Sequence, residues 1–162
     1  MGLARRLQNH PRLLAAAYRA NLWLAMRLRF LLRIVGAERA DRWLHGPEEF
    51  AKRRIFDCRM CGQCILHSTG MTCPMTCPKN LRNGPCGGVR ANGHCEVIPE
   101  MRCIWVEAYE RSQRMTTYRD DLRIVQPPVD RQLEGTSAWV NLMTGRDQAR
   151  TAGWGEASGG DR

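Results

Sequence analysis

The sequence predicts a small metal-stabilised irregular domain with flanking α-helices, mainly α plus loops and without a large sheet. Three observations predict it. All eight cysteines fall between Cys58 and Cys103, and none lies outside that stretch. The residues between them are rich in glycine and proline, which leaves little chain for regular elements. The segments on either side repeat their apolar residues with helical spacing. A length of 162 residues suits one modest domain with extensions.

Residues 1–54 are expected to form a basic amphipathic helical extension. Residues 1–37 hold seven arginines and no acid. From Arg12 to Val35, Leu13, Leu14, Ala17, Leu24, Leu28, Leu31, Leu32 and Val35 fall on one face at 100° per residue, opposite Arg12, Arg19, Arg27 and Arg33. Trp23, Met26 and Phe30 interrupt the basic face. Pro11 suits a helix start and Gly36 a stop. This helix has three uses: packing its leucine face on the cysteine domain, docking on a partner through Trp23 and Phe30, or lying on an anionic membrane surface through residues 12–35. Its longest uncharged run, Ala20 to Met26, is too short to span a bilayer. Residues 38–54 read as a second helical segment, broken at Gly46-Pro47. Lys52-Arg53-Arg54 reads as a solvated face, or as a docking edge for an acidic redox partner.

Residues 55–120 carry the cysteines. Cys58, Cys61 and Cys64 are spaced as in a loop that wraps an iron–sulfur cluster. Cys73 and Cys77 each precede a proline, Cys86 sits in the turn Asn83-Gly84-Pro85-Cys86-Gly87-Gly88, and Cys95 and Cys103 complete eight thiols, enough for two four-cysteine sites. A disulfide framework belongs to a secreted chain, and the N-terminus lacks the apolar core and cleavage site of a signal peptide. Structural zinc fits C-x₂-C half-sites. Two iron–sulfur clusters fit the triplet and the cysteine–proline steps better. Zinc at one or both sites stays open. His67 and His94 are read as surface or supporting residues, since cysteines are plentiful. Cys58, Cys61 and Cys64 share one site; the spacing does not identify its fourth ligand.

The metals are expected to stand in for a hydrophobic core, with Lys79 and Arg82 offsetting cluster charge. A helix is expected from Pro99, with Met101, Ile104, Trp105 and Ala108 on one stripe. Cys103 falls off that stripe, which favours a ligand role. Residues 121–147 read as an extended arm, stiffened by Pro127-Pro128, with Trp139, Val140, Leu142 and Met143 anchoring it to a partner or to the chain's own surface. Residues 148–162 read as a disordered polar tail.

The run CxxCGxCxLxxTGxxCPMxCPKxLRNGPCGG, followed by GxCEVxPxxxCxW, spans Cys58 to Trp105. It resembles the C-terminal domain family of methylenetetrahydrofolate reductases, which occurs behind the flavin-containing reductase barrel or as a separate small subunit beside it. The resemblance implies an iron–sulfur electron-transfer and accessory role, beside a partner that interconverts 5,10-methylene- and 5-methyl-tetrahydrofolate. FMN or FAD would belong only to that partner. A ferredoxin-like carrier is a further expected partner, and the expected location is cytoplasmic.

The formal charge of +9 and pI near 9.6 invite a nucleic-acid reading. Two four-thiolate sites would remove roughly four charges, and the chain has neither a ββα finger nor an aromatic stacking platform. We therefore expect no nucleic-acid partner. No dinucleotide fingerprint, P-loop or nucleophile elbow is present, so no catalytic residue is assigned. All eight cysteines are assigned to two [4Fe-4S] clusters, moving electrons to or from the partner flavin. The alternative is a zinc module that only scaffolds the reductase.

Overall fold

A computed structural model describes residues 7–149 of the chain. Among the described residues, 3-10 turns and loops join the helices α1 (Pro11–Leu28), α2 (Leu31–Val35), α3 (Ala37–Phe56), α4 (Ile104–Ser112) and α5 (Ala138–Thr144). Among the described residues, β-pairing is limited to two isolated antiparallel bridges, Val89 with Cys95 and His94 with Arg102. The fold is mainly helical with loops, as expected.

Pro11 opens α1, where its missing N–H costs no hydrogen bond. Gly36, at φ +85°, ends α2 and opens α3. The leucine face is buried only in part: Leu14, Leu32 and Val35 pack against buried clusters. Pro11 and Ala15 are buried, while Leu13, Leu24, Leu28 and Leu31 are exposed. The contact stripe instead runs through Leu14, Ala15 and Tyr18. Leu14, Ala15 and Tyr18 join the cluster of Leu66, Met71, Cys73 and Met75. Tyr18 stacks on His67, with ring centroids 5.6 Å apart. A small alanine and a flat ring allow closer approach than the leucine row would.

The break expected at Gly46-Pro47 does not occur: α3 runs unbroken from Ala37 through Pro47 to Phe56. Tertiary contacts bracket the proline on both sides. Asp41 Oδ1 accepts the Ser137 N–H at 2.7 Å, and Glu48 accepts the Ser137 hydroxyl. These acidic residues lie seven positions apart, two turns of helix, so one residue grips both. Tertiary bonds here override a local helix breaker.

The stretch from Met60 to Met75 is the buried centre of the molecule. The helix expected from Pro99 begins later, at Ile104, with Cys103 as its N-terminal cap residue. Trp105 and Ala108 are buried with Cys103, and Val89 and Leu122 pack against them. The arm folds back onto the chain's own surface. Its last part is α5, with Val140, Asn141 and Met143 buried. Gly145 caps that helix and a 3-10 turn follows over Arg146–Gln148; the rest of the tail lies outside the described residues. No described helix is long and apolar enough to cross a membrane.

Candidate metal centre

Cys58, Cys61, Cys64 and Cys73 line one common cavity, together with Lys52, Gln63 and Arg82. Cys73 is buried, and the other thiols are half-buried. Local chain geometry produces this convergence. Asp57, at φ 50°, ends α3 in a left-handed residue, turning the chain into the cysteine loop. Met60 and Gly62 are also left-handed, at φ 49° and 73°, so successive cysteines are swung towards the same side. Gly70 closes the following 3-10 turn, Leu66–Thr69, and returns the chain to Cys73.

The electrostatics favour thiolate at Cys58 and oppose it at Cys61 and Cys73. Cys58 is lowered to about 6: the Cys73 thiol donates to it, burial opposes, and the Met60 N–H and the Lys52 ammonium assist. Cys73 is pushed up, first because it donates to Cys58 and then by burial. Burial also raises Cys61. Two buried cations face these sulfurs. Burial works against the Lys52 charge, but Cys64 and Glu48 outweigh it and the net shift is upward. Burial lowers Arg82 overall, against the pull of Cys61 and Cys64. Arg82 Nη1 donates to the Gln63 carbonyl at 2.9 Å, while its buried Nε meets no protein acceptor.

Cys77, Cys86, Cys95 and Cys103 do not line this cavity. Cys77 directly follows the 3-10 turn Pro74–Thr76 and lines a neighbouring cavity with Cys61. The Lys79 ammonium, paired with Glu96, lies within electrostatic reach of Cys86 and Cys95. Backbone pairing draws Cys95 and Cys103 together: the Cys95 N–H donates to Met101 at 2.9 Å, and the Cys103 N–H donates to Gly93 at 3.0 Å. All eight cysteines are free thiols. Among the described residues, no three His, Cys, Asp or Glu side chains converge as a ready-made site for one metal ion. Neither histidine faces the cavity sulfurs: His67 Nδ1 meets the Tyr18 hydroxyl at 3.3 Å, and His94 Nδ1 meets the Pro99 carbonyl at 2.8 Å.

Three supporting residues escaped the sequence reading. Gln63, buried inside the triplet, accepts the Asp130 N–H at 2.7 Å and donates to the Asp147 carbonyl at 3.0 Å. Asn141 Nδ2 donates to the Gly62 carbonyl at 2.9 Å. Lys52, read as part of a solvated run, is buried while Arg53 and Arg54 are exposed. Its position four residues after Glu48 was the one available sequence signal. The C-terminal arm is thus a clasp over the loop Met60–Gln63, completed by the Gly135 N–H donating to the Met60 carbonyl at 2.8 Å.

Fold and site together define a cysteine-rich helical domain that gathers four thiols and two cations around one interior cavity. Residues 37–132, more than half the chain, match the family described as methylene-tetrahydrofolate reductase C terminal. The chain belongs to that family. No curated protein and no solved structure matches it significantly. The helices before residue 37 and helix α5 lie outside the matched region.

Proposed function

We propose that this chain is the iron–sulfur part of a methylenetetrahydrofolate reductase assembly, exchanging single electrons with the flavin of a partner reductase. The observation that carries this reading is the cavity lined by Cys58, Cys61, Cys64 and Cys73. Its donor set is all thiolate, the set that iron–sulfur clusters take. In a cubane each cysteine binds a different iron, so the sulfurs stand around a volume. A lone zinc would draw all four within about 2.3 Å of one point. Four thiols lining one cavity suit the first arrangement. Cys73 would be the fourth ligand of the triplet's site. Cys77, Cys86, Cys95 and Cys103 would hold the second cluster, with Lys79 beside them.

A bound cluster supplies one-electron steps at low potential. Conversion of the methylene to the methyl form of tetrahydrofolate takes two electrons and two protons, so two such transfers balance one turnover at the flavin. FMN or FAD and folate sit in the partner, and a ferredoxin-like carrier is the proposed external electron source or sink. In this chain, the loop Cys58–Cys73 orients the ligands, and Arg82 and Lys52 neutralise part of their charge.

Metal analysis of anaerobically purified protein, with EPR after dithionite reduction, tests the reading. About eight irons per chain and a cluster signal are expected for two cubanes. Zinc without a signal would make the chain a scaffold for the reductase, with no redox part of its own.

A further inference from the structure

Lys52 is buried, yet it belongs to a helix whose next two residues, Arg53 and Arg54, are exposed. Its ammonium pairs with Glu48, one turn earlier on α3, and both side chains are almost fully enclosed. The ammonium also sits 5.3 Å from the centroid of the Trp139 ring. Behind it, Glu48 accepts the hydroxyl of the fully buried Ser137. In front, Lys52 lines the cavity that holds Cys58, Cys61, Cys64 and Cys73. The pair is therefore an oriented dipole, its positive end facing sulfur and its negative end anchored to the start of α5.

An ion pair buried this way loses its hydration, and removing either partner leaves the other charge uncompensated. Fold stability alone would be served as well by apolar residues of similar volume. The orientation has one electrostatic effect: it favours extra negative charge in the cavity, because a cation held in a low-dielectric interior acts strongly at short range. A four-thiolate cluster gains one negative charge on reduction, and nearby charge is one of the protein's levers on cluster potential.

We propose that Lys52, held in place by Glu48 and Ser137, is the positioning residue that raises the reduction potential of the cluster bound by Cys58, Cys61, Cys64 and Cys73. The proposal rests on the iron–sulfur reading above.

The test is an EPR-monitored redox titration of the full chain, purified anaerobically, as wild type, Lys52→Met, Lys52→Arg and Glu48→Gln. Lys52→Met is expected to lower the midpoint of one cluster signal and leave the other unmoved. Lys52→Arg should restore it towards wild type. Glu48→Gln should shift the same signal upward, because it removes the opposing charge; that variant carries the test if Lys52→Met fails to fold. Unchanged midpoints in an iron-loaded protein, or shifts of one sign in both variants, overturn the proposal while leaving the cluster reading standing. A wild-type protein without iron overturns the cluster reading, and this proposal with it.

Discussion

Asn141 donates a hydrogen bond from its buried side chain to the carbonyl of Gly62, 2.9 Å away across 79 positions of sequence. The bond joins the C-terminal helix to the middle of the cysteine triplet. Replacing Asn141 with leucine leaves the Gly62 carbonyl without its side-chain donor. We expect a loss of about 1–3 kcal/mol, read as a lower midpoint in urea unfolding of the metal-loaded protein. An unchanged midpoint would mean that this bond contributes nothing to stability.

Gly62 itself cannot take a side chain. It lies at φ +73°, and an added Cβ would stand 2.2 Å from the Leu133 carbonyl oxygen. Gly62→Ala is expected to destabilise by roughly 2–4 kcal/mol. Gly93 has a similar φ, +80°, but open space where its Cβ would be. Gly93→Ala should therefore cost only about 1 kcal/mol. Equal losses in the two variants would show that backbone strain, not the collision with the arm, is what matters.

Cys73 shares the cavity of Cys58, Cys61 and Cys64, whereas Cys77 does not line it. Cys73→Ser should lose the same cluster as Cys61→Ser, leaving about half the iron and one EPR signal. Cys77→Ser should lose the other signal. Spectra in which Cys73→Ser and Cys77→Ser remove the same signal would refute this division.

His67 lies between Tyr18 and Tyr118, and burial lowers its pKa from the ordinary 6.5, with Asp121 partly opposing. As pH falls below that ordinary value, the unfolded chain takes up the proton before the folded one does. Stability present above about pH 6.5 is therefore lost as pH drops towards the folded value. His67→Phe should flatten this part of the profile. Melting temperatures of both proteins between about pH 7.5 and 5.5 provide the check, and parallel curves would exclude His67 as the titrating group.

The sequence by itself determined where the thiols gather and how the helices are punctuated. Eight thiols in one stretch, the C-x₂-C-x₂-C triplet, Pro11 as a helix start and Gly36 as a stop are local facts, readable without neighbours. Tertiary structure decided which of these residues meet. Pro47 failed to break α3 because Ser137, 96 positions beyond Asp41 and 89 beyond Glu48, bonds to both sides of it. Lys52 left a basic surface run because Glu48 and Trp139 enclose it. Leu13, Leu24 and Leu28 of α1 stayed exposed because Leu14, Ala15 and Tyr18 face the cysteine core instead. In each case a contact between distant segments outweighed the local preference. Spacing along a chain fixes what a residue can bind, but only the folded path brings Cys73 to the triplet's cavity.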